Sequence, residues 1–116
     1  MVAWFLKNSK KTWAELKKNF LINGNSSEII NPFDRGLSYG DGIFRTFLVK
    51  NGCPINWDMH YKKLIFDAKI LKIKVPTKID LLLDIKKLFG LNESYIGKVI
   101  ITRGVSNQGY QYKKNI

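Results

Sequence analysis

The clearest alternation of hydrophobic and polar positions lies in the middle of the chain. Between Ile43 and Lys50 most residues are β-branched or aromatic, which predicts a strand. Asn51-Gly52 supplies the positive φ angles of a tight hairpin and returns the chain into a second strand over residues 53–57. Alternation along the first strand puts Phe44, Thr46 and Leu48 on one face and Ile43, Arg45, Phe47 and Val49 on the other.

Two consecutive helices follow, each with apolar residues at the i, i+3, i+4 spacing. Asp58 is placed to cap the first helix, and Thr77 with Asp80 forms the capping pair of the second. Gly90 stands where a left-handed residue would end the second helix. The apolar stripes are Tyr61, Leu64, Ile65, Ala68 and Leu71 in the first helix, and Leu81, Leu82, Ile85, Leu88 and Phe89 in the second.

The flanking segments complete the pattern. Residues 1–20 are predicted to be a separate N-terminal extension, with a short helix capped by Ser9. Two short apolar runs around Asn23-Gly24 predict a hairpin over residues 20–30. Residues 34–42 hold three glycines, which favours a tight connection dominated by backbone contacts. Residues 96–102 form an apolar strand, and a glycine-containing loop leads on to Tyr110.

The order of these elements predicts the fold class. Hairpins, then two helices, then a strand favour an α+β fold with a largely antiparallel sheet. With 116 residues, 45% of them hydrophobic, the chain is expected to hold a single domain, over residues 21–116. No apolar run reaches the ~18 residues of a membrane span. A single cysteine, Cys53, favours a cytoplasmic location, and one cysteine with one histidine exclude an ordinary intrachain zinc site.

The net charge of +11 raises the question of nucleic-acid binding. Of the twenty basic residues only Arg35, Arg45 and Arg103 are arginines, and the other seventeen are lysines spread along the chain. Base recognition favours the bidentate arginine fork, and phosphate tracking favours a clustered stripe. The pattern is that of solvated lysine-rich faces, so nucleic acid is not the expected partner.

Candidate chemistry is sparse when the residues are considered one at a time. His60 lies in the first turn of its helix, where a hydrogen-bonded structural role is favoured over catalysis. Lys98 is the least expected charge, because it interrupts an apolar strand. Arg103, directly after that strand, is placed to bind a carboxylate. With no nucleophile–base pair and no carboxylate dyad, the residues alone predict a cleft-forming domain for an anionic ligand, without an assigned catalytic residue.

Taken in order, the motifs resemble the class IV aminotransferase-like family of pyridoxal-phosphate enzymes, over residues 21–110. Its aminodeoxychorismate lyase branch is the most similar, through the glycine-rich loop and the closing strand end. The motifs are Ile22-Asn23-Gly24; Asp34-Arg35-Gly36-Leu37-Ser38-Tyr39-Gly40-Asp41-Gly42-Ile43-Phe44 with Thr46; Asn51-Gly52; Trp57, His60, Leu64 and Lys98; and Thr102-Arg103-Gly104 with Gly109-Tyr110.

The resemblance implies the small N-terminal domain of a two-domain, fold type IV subunit, with pyridoxal 5'-phosphate in the cleft between domains and a homodimeric assembly. The implied reaction cleaves aminodeoxychorismate into 4-aminobenzoate and pyruvate, a step toward folate. By family position, Lys63 would contact the cofactor phosphate. The substrate carries carboxylates, and its binding site would be lined by Tyr39, Phe44, Lys98, Arg103 and Tyr110. Alternatives are a branched-chain or D-amino-acid aminotransferase domain, or a small basic binding module without catalysis.

Several positions depart from the family pattern. Lys63 stands where the family has its phosphate-binding arginine, which predicts weaker cofactor retention because lysine lacks the two-pronged geometry. Arg45, Leu48 and Gln108 also replace residues usual at their positions. In the family the Schiff-base lysine lies in the second domain, and none of the seventeen lysines here has its motif. The chain alone, a truncated form of such an enzyme, is therefore expected to be inactive.

Overall fold

The computed structural model describes residues 2–7 as backbone, and residues 20–25, 29–90 and 94–105 with their side chains. One five-stranded sheet has the order β2-β1-β5-β3-β4, and each pairing between these strands is antiparallel. The α+β fold with an antiparallel sheet and two consecutive helices is confirmed. The strands are β1 (Val2–Lys7), β2 (Phe20–Ile22), β3 (Gly42–Lys50), β4 (Cys53–Pro54) and β5 (Tyr95–Thr102), and the helices are α1 (Arg35–Tyr39), α2 (Trp57–Leu71) and α3 (Lys78–Leu88).

Strand β1 corrects the prediction for the start of the chain. It lies between β2 and β5, with Val2 opposite Thr102 and Lys7 opposite Gly97. The prediction that residues 1–20 form an extension outside the domain is therefore wrong for Val2–Lys7. Its partner strand comes from the far end of the chain, and local patterns carry no information on such pairing. The helix predicted after Ser9 lies outside the described residues.

Both Asn-Gly pairs form the predicted turns. Asn51 and Gly52 have φ angles of 51° and 76°, and they join β3 to β4. Asn23 and Gly24 have φ angles of 52° and 79°. Ile22 and Asn25 exchange backbone hydrogen bonds across the second turn, and β2 pairs with β1. Of the second arm of the expected hairpin, residues 26–28 lie outside the described residues and residues 29–30 are not in a strand.

Helix α2 begins earlier than the sequence pattern predicts. The strand expected over residues 53–57 ends at Pro54, and Asn56 adopts a left-handed conformation (φ 58°) at the helix start. Asp58 is therefore not the cap. It lies in the first turn of α2 and forms an ion pair with Lys78, which links the two long helices.

Helix α3 begins as predicted, and its end differs. The Thr77 hydroxyl accepts a hydrogen bond from the Asp80 amide at 3.1 Å, which confirms the cap. At the other end, Phe89 leaves the helix in an extended conformation (φ −107°), and Gly90 is not left-handed. The helix therefore ends at Phe89, whose side chain is buried in the core, and not at a left-handed glycine as predicted.

Helices α2 and α3 cover one face of the sheet and build the core. The buried residues of α2 are Trp57, His60, Leu64 and Ala68, so its stripe is rotated away from the predicted Ile65 and Leu71, which are partly exposed. The hydrophobic core comprises Leu21, Ile43, Phe47, Val49, Trp57, Leu64, Ala68, Ile73, Leu81, Ile85, Leu88, Phe89, Val99 and Ile101.

The opposite face of β3 and β5 has a different character. We call it the open face, and it comprises Phe44, Thr46, Leu48, Ile96, Lys98 and Ile100. The predicted alternation along β3 is confirmed, because Ile43, Phe47 and Val49 are buried while Phe44 and Leu48 are exposed. None of the helices in the described part of the chain is long and apolar enough to cross a membrane.

Candidate functional site

The open face combines apolar side chains with one lysine. Lys98 lies opposite Thr46, and Phe44 lies opposite Ile100 two residue pairs further along, on the same face. The Lys98 ammonium lies 4.6 Å from the centroid of the Phe44 ring, which is within cation–π range. The Phe44 side chain is 60% exposed, so its ring is accessible to a ligand, and the partly buried Lys98 lies beside it. The structure therefore brings together two of the side chains predicted to line the substrate.

A cavity of about 240 Å³ lies at one end of the open face, between α1 and β5. Ile100 links it to Lys98, since the two residues project from the same face of β5. The lining is Ile30, Asp34, Gly36, Leu37, Ile100 and Thr102.

The Asp34 carboxylate fixes helix α1 against β5. The connection predicted over residues 34–42 therefore contains a short helix, and Asp34 is its cap. One oxygen, Oδ2, accepts from the amides of Gly36 and Leu37 at 2.9 and 3.2 Å, and the other accepts from the Thr102 hydroxyl at 2.7 Å. A Cβ on Gly36 would overlap the Thr102 methyl group, so only glycine allows this close approach. The buried carboxylate thus fixes the wall of the cavity.

Arg103 does not face the open face or the cavity. Its guanidinium is 3% exposed and donates to Asp41, Leu71 and Lys72: Nε to Asp41 Oδ2 at 2.8 Å, Nη2 to the Leu71 carbonyl at 2.5 Å, and Nη1 to the Lys72 carbonyl at 3.1 Å. The expectation that Arg103 binds a substrate carboxylate is therefore corrected. The carboxylate it binds belongs to the protein, and the bond ties the end of β5 to the start of β3 and the end of α2.

Asp41 is shared by two arginines. Arg35 Nε donates to the same Oδ2 atom at 2.8 Å, and the Arg35 side chain is also 3% exposed. Burial of the Asp41 carboxyl would raise its pKa, but the hydrogen bonds and charges of Arg103 and Arg35 outweigh burial and lower the pKa. The pair of arginines therefore keeps Asp41 ionised, and the cluster is structural.

The remaining predicted site residues lie elsewhere. Tyr39 is the last residue of α1, and the Arg35 guanidinium lies 4.9 Å from its ring centroid. Lys63 is on α2, in the helix layer that covers the sheet face opposite Phe44 and Lys98. Its ammonium pairs with Asp67 one turn on at 2.9 Å, and its side chain is 48% exposed. Tyr110 lies outside the described residues.

His60 has the structural role expected for it. Its Nδ1 atom accepts a hydrogen bond from Arg45 Nε at 3.0 Å, and its ring packs near Phe47 beneath the sheet. Burial, and then the positive charge of Arg45, lower the pKa of His60. The imidazole is held in its neutral form, with the proton on Nε2.

The sequence patterns missed Asp41 and Asp34. Both lie in the glycine-rich segment, which was expected to work through its backbone, and both bind side chains that follow β5 or end it. Their roles depend on contacts between residues 34–41 and residues 102–103, which are far apart in the chain, so no local sequence pattern indicates them.

Comparison with known proteins gives a consistent set of relatives. The chain is 34% identical to aminodeoxychorismate lyase of Bacillus subtilis over 98 residues, covering 77% of this chain and 33% of the relative. It is 35% identical to a putative branched-chain-amino-acid aminotransferase of Methanocaldococcus jannaschii over 89 residues, covering 73% and 31%. No protein-family model matches the chain.

Solved structures agree with these sequences. A 4-amino-4-deoxychorismate lyase from Pseudomonas aeruginosa superposes with a TM-score of 0.64 at 27% identity, covering 77% of this chain and 33% of that one. A fold IV transaminase from Curtobacterium pusillum shares the fold, with a TM-score of 0.61 at 20% identity, covering 93% and 39%. The predicted resemblance is confirmed, and the chain spans about a third of the length of the relatives it matches.

Proposed function

We propose that this chain, which resembles about a third of the length of aminodeoxychorismate lyases in sequence and fold, is the small N-terminal domain of a pyridoxal-phosphate-dependent 4-amino-4-deoxychorismate lyase. The reaction would release 4-aminobenzoate and pyruvate. The observation that carries the proposal is the Lys98 ammonium above Phe44 on the open face, in a chain similar to a protein that bears this activity. A partly buried cation beside an exposed aromatic ring suits a ring that carries a carboxylate.

Within this proposal Lys98 holds one carboxylate of the substrate. Arg103 is engaged by Asp41, so it supplies no second carboxylate contact. The second carboxylate would be bound outside the described open face. Phe44 would support the ring and keep water from one side of it.

Lys63 is the residue of this chain that we assign to the cofactor phosphate. Its half-exposed ammonium fits a phosphate as a point charge, although the Asp67 carboxylate at 2.9 Å partly neutralises it. The cofactor, when bound, supplies an electron sink for the bond cleavage.

The remaining parts of the assembly would come from outside the described residues. We infer that the lysine that binds the cofactor covalently belongs to a second domain, that the active form is a homodimer and that it is cytoplasmic. The last inference is supported by the single cysteine, Cys53, which is exposed and free.

The test compares the protein encoded by the complete reading frame with the 116-residue chain, with aminodeoxychorismate as substrate and pyruvate release as the measurement. We expect the complete protein to release pyruvate when pyridoxal phosphate is present, and the 116-residue chain to release none. Absence of pyruvate release by a complete protein that has bound cofactor would refute lyase activity. Release by the short chain would refute the assignment of the cofactor lysine to a second domain.

An amino-acid transaminase is the second candidate, favoured by the 35% identity to the putative branched-chain aminotransferase. The two activities differ in their need for a second keto acid. If the complete protein consumes a branched-chain amino donor only when 2-oxoglutarate is added, and does not cleave aminodeoxychorismate, it is a transaminase.

A further inference from the structure

Arg45 is a cation that the described residues do not neutralise. Among them its side chain makes one hydrogen bond, from Nε to His60 Nδ1 at 3.0 Å, and it forms no ion pair. Burial, and then the charge of Arg45, lower the pKa of His60, so the imidazole accepts this bond as a neutral group. His60 therefore holds the guanidinium in place but leaves its positive charge uncompensated.

The two terminal nitrogens of Arg45 are available to a ligand. Nη1 and Nη2 have no partner in the part of the chain that the structure describes, and the residue is partly buried. Burying a charge costs free energy unless an opposite charge lies beside it. Because Nε is directed to His60, the other edge of the guanidinium can donate to two oxygens of one anion.

Arg45 lies under α2, at a part of β3 with an uncovered edge. It shares the helix-covered side of the strand with Ile43 and Phe47, and it lies opposite Val99 of β5. On the other side of β3, the described pairing with β4 joins residues 49–50 of β3 to residues 53–54. No strand of the described residues therefore lies between Arg45 and that edge of the sheet.

Lys63 brings a second positive charge to the same side of α2. It follows His60 by three residues, so the two side chains project from one side of the helix, about one turn apart. The Lys63 side chain is 48% exposed, and its ammonium pairs with Asp67 at 2.9 Å. One carboxylate thus stands against two cations, so the group formed by Arg45, His60 and Lys63 keeps a net positive charge.

We propose that Arg45 is a phosphate-binding residue whose Nη1 and Nη2 atoms donate to the phosphate of pyridoxal phosphate, while Lys63 contacts the same phosphate as a point charge. The inference deepens the proposed function and rests on its cofactor. Lysine at position 63 lacks a two-pronged contact, and Arg45 would supply one from the strand beneath the helix. A phosphate monoester carries close to two negative charges at neutral pH, which matches two cations.

The experiment compares pyridoxal phosphate with pyridoxal, which differ only in the phosphate group. Absorbance titration of the complete protein, prepared without cofactor, gives the two dissociation constants, and their ratio reports what the phosphate contributes. Arg45→Gln keeps an amide that can donate to His60 but removes the charge. It should weaken pyridoxal phosphate about tenfold and leave pyridoxal unchanged. Arg45→Lys keeps the charge without the fork, so it should weaken pyridoxal phosphate by a smaller factor.

Lys50→Gln is the matched control, because it removes one positive charge from an exposed position on the same strand. It should change neither dissociation constant, which separates a direct contact from a general loss of charge. If Arg45→Gln weakens both ligands equally, Arg45 is a structural residue and the inference is overturned. An unchanged ratio in Arg45→Lys overturns the two-pronged contact, and this variant decides the question if Arg45→Gln does not fold.

The outcomes also separate this contact from the proposed activity. A lowered affinity for pyridoxal phosphate alone, in a protein that releases no pyruvate, would support the contact and refute the lyase. An unchanged ratio in a protein that does release pyruvate would overturn the contact and leave the lyase in place. A complete protein that binds no pyridoxal phosphate would overturn both.

Discussion

The Nε atom of Arg103 donates a partly buried hydrogen bond of 2.8 Å to the Oδ2 atom of Asp41, which connects the end of the last described strand to the start of β3. Because the same oxygen also accepts from Arg35, one carboxylate neutralises part of two buried positive charges. The cluster attaches both α1 and the end of α2 to the sheet, since Arg35 belongs to α1 and the Leu71 carbonyl of α2 accepts from Arg103.

Asp41→Asn should be strongly destabilising. The change removes the carboxylate that pairs with two buried guanidinium groups, and breaking a buried ion pair costs about 3–5 kcal/mol of the free energy of unfolding. Urea denaturation at pH 7 measures the loss. Asp58→Asn is the control, because its ion pair with Lys78 is exposed, and its urea midpoint should equal that of the parent. Equal midpoints for both variants would contradict the structural role of Asp41.

The same carboxylate predicts how stability depends on acid. The pKa of Asp41 is lowered from its ordinary value of 3.8, so its contribution to the free energy of unfolding is complete above that pH. The contribution is lost as the pH falls through the folded-state pKa. The parent should therefore lose stability below about pH 4 more steeply than Asp41→Asn. Parallel stability curves for the two proteins at acid pH would refute this assignment.

His60 should make stability depend on pH closer to neutrality. Its pKa is lowered from 6.5, first by burial and then by Arg45, so the folded protein binds its proton less readily than the unfolded chain does. The contribution of neutral His60 to the free energy of unfolding is complete above about pH 6.5. It is lost as the pH decreases from there toward the folded-state pKa. His60→Asn keeps an acceptor for Arg45 but does not titrate. Urea midpoints measured from pH 7.5 to 5 should decline less in this variant than in the parent. This range extends about one unit or more on either side of the ordinary histidine pKa.

Two glycines should respond differently to alanine. Gly36→Ala places a methyl group against the side chains of Thr102 and Asp34, and overpacking of this kind should cost about 3 kcal/mol. Gly40 has φ 67° with no atom within 4 Å of an added Cβ, so Gly40→Ala should cost only about 1 kcal/mol of backbone strain. Thermal denaturation compares the two variants. A smaller loss for Gly36→Ala would mean that α1 does not pack closely on β5.

Lys63 sets a prediction for cofactor retention. Lys63→Arg should hold pyridoxal phosphate about tenfold more tightly, because a guanidinium can donate two hydrogen bonds to the phosphate. The measurement is the loss of cofactor absorbance from the complete protein on dilution. Lys62→Arg, at the neighbouring exposed position, is the control and should change nothing. Identical cofactor loss from Lys63→Arg and the parent would remove Lys63 from the cofactor site.

Asp67 should act in the opposite sense to Lys63. Its carboxylate lies 2.9 Å from the Lys63 ammonium and would repel a phosphate there. Asp67→Asn should therefore slow cofactor loss in the same dilution assay, whereas Asp67→Asn combined with Lys63→Ala should not. A faster loss from Asp67→Asn would indicate that Asp67 positions Lys63 for the phosphate.

Local patterns determined much of this protein without its structure. The Asn-Gly turns, the Thr77 cap and the two faces of β3 depend on residues close together in the chain, so composition and periodicity were sufficient to predict them. The motif order likewise identified the relatives, because spacing along a chain is itself a sequence property.

Tertiary structure alone decided what depends on distant partners. Val2–Lys7 forms a strand because β5 provides its hydrogen-bond partners, and Arg103 is a structural residue because Asp41 reaches it from the other side of the fold. The cavity beside β5 exists only because α1 packs against that strand, through the hydrogen bond between Asp34 and Thr102. A side chain's chemistry is set by its type, but its role is set by the groups that folding brings to it.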